Sequence, residues 1–160
     1  MLFRSVERPK SGVQQKNKPE ENAKRSQRLL ITWITDEPQI YAKISRYISA
    51  EDFTEDLYKR VATRLFEELD RGEFNPAAII SMFEDEEEQR EAAALFNTNL
   101  PELTTVQEKE KAFHDIILAV KRNSYEYYTA KLGTDVNALN QVIAGKKALE
   151  ELAKTHISLE

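Results

Sequence analysis

The stretch FTEDLYKRVATRLFEEL, residues 53–69, carries the strongest periodicity in the chain: Phe53, Leu57, Val61, Leu65 and Leu69 recur every four residues. Tyr58 and Phe66 widen the stripe. That spacing returns side chains to one side of a helix, whereas a half-buried strand alternates every two residues. Gly72 follows as a C-terminal stop, and Asn75-Pro76 reads as N-cap plus first helical residue of a short helix with Ile79, Ile80 and Phe83.

Upstream, Leu29, Leu30, Trp33 and Ile34 mark another helical stripe, and Trp33 with the Phe53–Leu69 stripe is expected to form the bundle core. Asp36 and Pro38 restart a helix carrying Ile40, Ile44 and Ile48, with Pro38 in the first turn, where its missing N–H costs nothing. Downstream, the acidic run Glu84-Asp85-Glu86-Glu87-Glu88 leads into Ala92, Ala93, Leu95 and Phe96. Adjacent carboxylates do not share a helix face, so the run reads as an exposed first turn complementing the helix dipole, not as a metal site.

Thr104 or Thr105 caps a helix that can run to Lys131, about 27 residues or roughly 40 Å. Its apolar positions are Phe113, Ile116, Ile117, Val120, Tyr127 and Tyr128. Gly133 ends it, and Thr134 or Asp135 caps a last helix with Val136, Leu139, Val142, Ile143, Leu149 and Leu152. Gly145 inside that helix costs about 1 kcal/mol relative to Ala and permits a bend. A short turn between these two helices predicts a helical hairpin projecting as a semi-independent lobe. No strand signal competes, since no β-branched run alternates with polar residues and no Asn-Gly or Asp-Gly turn occurs. The fold class is all-α: a helical bundle over 29–103, then a long helix plus C-terminal hairpin over 104–160.

Charge divides the chain differently. Residues 1–28 hold eight basic and three acidic groups, leaving 15 basic and 25 acidic groups in 29–160, a net charge of -10. The first 28 residues offer few sizeable apolar side chains, and Pro9, Gly12 and Pro19 interrupt them. Such a segment buries too little apolar surface to offset its ordering entropy, and it is expected to be a flexible basic linker. Leu2-Phe3-Arg4-Ser5 matches nothing around it, and the natural chain is expected to begin further upstream.

Composition excludes several chemistries. The chain has no cysteine, hence no disulfide, thiolate zinc site, cysteine nucleophile or iron–sulfur cluster. Four glycines in 160 residues, where roughly 7% usage would give about eleven, argue against a glycine-lined phosphate loop. The base of a catalytic triad is nearly always His, the chain has only His114 and His156, and neither is expected to have a second ligand at i+4 for a helix-borne zinc site. No cofactor or metal is expected. An acidic globule lacks the basic face that nucleic-acid binding needs. No apolar run approaches the roughly 18 residues that cross a bilayer, and no apolar signal core opens the chain, so a cytoplasmic location is expected. By elimination the chain binds something rather than transforming it.

Arg28-Leu29-Leu30-Ile31, Asp36-Glu37-Pro38, Phe53 before a helix ending near Gly72, Pro76, an alanine-rich acidic helix and a long helix with a terminal hairpin form an ordered set. In that order, residues 29–160 resemble the C-terminal helicase-binding domain of bacterial DNA primase. The resemblance implies a non-catalytic fragment of a DNA-directed RNA polymerase. Its partner would be the N-terminal collar of the replicative DnaB-type helicase, and docking would recruit primase and modulate RNA primer synthesis. Family members attach largely through the terminal hairpin, which puts the contact among Tyr127, Tyr128, Leu132, Leu139, Val142, Ile143, Leu149 and Leu152, less those consumed by packing within the hairpin. The N-terminal domain of a replicative helicase, a generic all-α regulatory module and a small helical enzyme are the alternative readings.

Overall fold

The computed structural model describes residues 21–97, 100 and 102–159. All regular structure among them is helical, in agreement with the all-α expectation. Helix α1 covers 21–36, followed by a 3-10 turn Pro38–Ile40 and the single-turn α2, Tyr41–Ile44. A second 3-10 turn, Ala50–Asp52, precedes α3 (Asp56–Asp70), α4 (Pro76–Ser81) and α5 (Glu86–Asn97). The long α6 is Val106–Thr129 and the last helix, α7, is Ala138–Lys154. No described helix is long and apolar enough to cross a membrane.

Helix α1 is the centre of the bundle. Leu30, Ile31, Thr32, Trp33 and Ile34 are all buried, so this stretch is covered on every side instead of along one stripe. The Trp33 ring lies 5.0 Å from that of Phe113 on α6, a tilted contact that joins the early and late parts of the chain. Helix extends upstream of residue 28, into the stretch expected to be flexible linker. Residues 21–28 are helical, and Gln27 is buried with both ends of its amide engaged. Its Nε2 donates to Thr54 Oγ1 at 2.9 Å, and its Oε1 accepts from Thr54 N and Glu55 N at 3.1 and 3.3 Å. A polar side chain that satisfies the start of another helix looks like linker composition until its partner is known. Residues 1–20 lie outside the described set.

On α3 the expected stripe is buried at Tyr58, Val61, Leu65 and Phe66, with Leu57 and Leu69 packed at its edge. Phe53 is fully buried too, but it precedes the helix in extended backbone and meets Phe66 edge-on at 5.8 Å. Gly72, at φ 76°, ends α3 in a Schellman closure: its N–H reaches Leu69 O at 3.0 Å and Glu73 N reaches Glu68 O at 2.8 Å. Buried Glu68 then takes Arg64 Nε at 2.9 Å and Asn75 N at 2.9 Å, fixing the approach to α4. Asn75 caps α4 through Ala78 N at 3.2 Å, with Pro76 at the first helical position as expected. The helix expected through Ile48 stops at Ile44, and Ile48 enters the core from the turn beyond it.

The same hydrophobic core contains Leu30, Phe53 and Leu65 together with Phe113, Ile117, Val120, Leu152 and Ile157. The hairpin is therefore not a semi-independent lobe: most of α6 and the last turn of α7 are walls of the bundle. Residues 155–159 return across α6, where Leu159 N donates to Glu110 Oε2 at 2.8 Å, and Lys43 on α2 donates to Ser158 O. Replacing Leu65 or Trp33 by Ala should lower unfolding stability by about 2–5 kcal/mol, read from the denaturant midpoint at unchanged m-value. An unchanged midpoint would remove both from the core.

Candidate interaction surface

Helix α6 has two working faces. One, running Glu110, Phe113, Ile117, Val120, Lys121, Ser124 and Tyr128, is buried against the body. Three of these are polar, and two of them converge on one carboxylate. Asp52, 1% exposed, receives Lys121 Nζ on both oxygens at 3.0 Å and Ser124 Oγ at 2.7 Å. One turn further on, Tyr128 OH donates to Glu51 O at 2.8 Å. Asp52 also accepts from Ser49 N at 2.9 Å, so the 3-10 turn that carries it is closed on itself. The second face of α6 meets α7. Gly145 lies on the crossing, where an added Cβ would stand 3.3 Å from Tyr125 Cδ1. The expected bend at Gly145 is thus a close approach: the missing side chain lets two backbones come together, and Ala138, Ala148 and Leu152 continue the buried face.

The turn between the helices is longer than expected. Asp135 Oδ1 accepts from Asn137 N at 2.9 Å and its carbonyl takes Ala138 N at 3.1 Å, so α7 begins at Ala138, three residues past that aspartate. Beyond the body, the distal part of the hairpin exposes Tyr127, Leu132, Val136, Leu139 and Ile143, with Val136 at 94%, Leu139 at 56% and Ile143 at 60%. Leu139 and Ile143, four apart, point away from the Ala138–Gly145–Ala148 face. Lys131 holds its ammonium 4.7 Å from the Tyr127 ring centre.

Two residues expected in the contact surface are withdrawn from it. Tyr128 is 4% exposed and tied to Glu51, and Leu152 is fully buried in the common core. Val142 and Leu149 are half-buried along the α6–α7 seam. Tyr127, Leu132, Leu139 and Ile143 stay at the surface and are joined by Val136, a position read in sequence only as part of the last helix. The helical period finds apolar residues, but it cannot say which of two neighbouring helices each one meets.

The two histidines lie at one shallow cavity of about 360 Å³ beside the end of α7, each occupied structurally. His114 Nε2 pairs with Leu152 O at 2.7 Å, and His156 Nε2 lies 3.0 Å from Glu110 Oε1. Among the described residues no three acidic, histidine or cysteine side chains are arranged to hold a metal ion. Glu84, Asp85, Glu86 and Glu87 are exposed at the start of α5, where Asp85 Oδ2 caps Glu88 N at 3.2 Å and Glu88 pairs with Arg60 at 3.1 Å. Comparison with models of protein families, with curated proteins and with solved structures finds no match.

Burial, helped by the Glu51 carboxylate, pushes the Tyr128 phenol above its ordinary value, and burial with a hydrogen bond to Asp70 pushes Tyr41 up to about 12. Both phenols favour the protonated state when folded, so their contribution is complete below the ordinary phenol value of about 10 and is lost as pH climbs past it. Alkaline titration followed by phenolate absorbance should show unfolding and ionisation of these tyrosines together; ionisation of all six tyrosines near pH ~10 in a folded protein would contradict this. Removing one partner of the buried pair, as in Asp52→Ala, leaves Lys121 uncompensated and should cost about 3–5 kcal/mol in chemical denaturation.

Proposed function

We propose that this chain is the helicase-interaction domain of a bacterial-type DNA primase. It docks on the N-terminal collar of the replicative DnaB-type helicase through the distal part of the α6–α7 hairpin, recruiting primase and modulating primer synthesis. The observation that carries the reading is the cluster Leu132, Val136, Leu139 and Ile143, apolar and exposed at the end of the hairpin to which the resemblance assigns the contact. Exposed apolar side chains gathered at one end of a molecule mark an interaction site more often than scattered ones do. The reading rests on the resemblance carried by the order of these helices in the sequence. The chain acts in this reading as a tether and a lever.

The hairpin's inner face supports the same role mechanically. Ala138, Gly145 and Ala148 lie on the buried side of α7, and α6 is held to the body by the Lys121–Asp52 pair, so the hairpin is joined to the bundle by packed and hydrogen-bonded contacts. Titration of the chain against the N-terminal domain of the cognate helicase tests the reading. The double variant Leu139→Asp/Ile143→Asp should keep its helical spectrum and thermal midpoint while losing binding by at least a factor of ten, about 1.4 kcal/mol. Equal binding by variant and parent would move the site off the hairpin, and failure of the parent to bind would reject the helicase as partner.

A further inference from the structure

The hairpin tip differs from the rest of the globule in charge as well as in polarity. Between Tyr127 and Lys147 stand three lysines, Lys131, Lys146 and Lys147, against one acid, Asp135. The remainder of 29–160 carries 12 basic and 24 acidic groups. The one acid at the tip, Asp135, accepts the Asn137 backbone N–H in an exposed local turn. Lys146 and Lys147 are exposed and follow Ile143 by three and four residues, so they extend the line Leu139–Ile143 along the outer side of α7. Lys131 borders the same tip from the end of α6, against Tyr127.

We propose that this apolar, lysine-edged tip selects a partner surface of one chemistry: an apolar groove on a protein, rimmed by carboxylates. The inference rests on the docking reading above and adds to it how the orientation of docking is set. An acidic partner repels the strongly acidic body and attracts only the tip, so encounter is steered to a single end of the molecule. The apolar residues then supply the affinity after contact, and the lysines supply the approach rate and the rejection of other faces. A like-charged body beside an attractive tip is a repulsive element as much as an attractive one.

The test measures association and dissociation rates with the isolated N-terminal domain of the cognate helicase over a salt series. Three proteins are compared: the parent, Lys146→Glu/Lys147→Glu, and Leu139→Asp/Ile143→Asp. The parent's association rate should fall as ionic strength rises, and the lysine reversal should lower it about tenfold at low salt and invert the salt slope, with little change in dissociation. A lysine reversal that binds like the parent at every salt concentration, while the aspartate variant loses binding, would overturn the steering inference and leave the docking reading standing. Loss of binding by neither variant, or no binding by the parent, would remove the docking reading and this inference with it. Sedimentation of the parent with phosphatidylglycerol vesicles, abolished by either variant, would reassign the tip to a lipid surface and overturn the protein partner.

Discussion

The carboxylate of Asp52 is the constraint on which the arrangement of the long helix depends. It sits 1% exposed at the end of a 3-10 turn and gathers Lys121, Ser124 and the Ser49 amide. A charge in that position is tolerable only with its partners in place, because desolvation is offset only while every lone pair is engaged. Apolar packing alone would let α6 slide or rotate by a residue at modest cost. The ion pair does not, since any other register buries a lysine and an aspartate apart. Tyr128, bonded to Glu51 one turn away, gives the same register a second fixed point. The direction in which the hairpin leaves the body is thereby set by polar groups in a mainly apolar interface.

The junction of α6 and α7 works by the opposite principle, absence instead of partnership. Ala138, Gly145 and Ala148 line the buried side of α7, and Tyr125 lies against the bare Cα of Gly145. Small residues bring the helices close and leave the larger apolar ones, Leu139 and Ile143, on the outside. The same substitution pattern that makes a tight hairpin also produces its sticky tip. Stability and exposure at the hairpin are therefore two faces of one sequence choice. At the other end of α7, Leu152, Ile157 and the Glu110–Leu159 hydrogen bond root the helix in the common core, so the hairpin and the bundle share one core.

Much of this architecture is visible in the residues themselves. The Val61–Leu65 spacing, the Gly72 stop and the Asn75-Pro76 start all act within a few positions of themselves, and each appears in the structure where local chemistry puts it. Thr105 likewise caps α6 through Glu108 N at 3.1 Å. Gln27 shows the limit of such reading. Surrounded by Lys, Arg, Ser and Asn, it has the composition of a tether, yet it is buried because Thr54 and Glu55 offer it two donors and an acceptor from 27 and 28 positions away. The same holds for Asp52 and Lys121, separated by 69 residues, which in sequence are two ordinary surface charges.

Helix class, helix ends and the polarity of the chain follow from neighbours within four residues, because hydrogen bonding along a helix and its caps is local. The division of Tyr127, Tyr128, Leu139, Leu152 and their neighbours between inside and outside is not local. Each is apolar at helical spacing, and whether it is covered depends on which surface of another helix arrives beside it. That arrival is governed by the Asp52 ion pair and the bare Gly145, contacts between residues far apart in the chain. Those contacts leave Leu139 and Ile143 in water and take Tyr128 and Leu152 out of it.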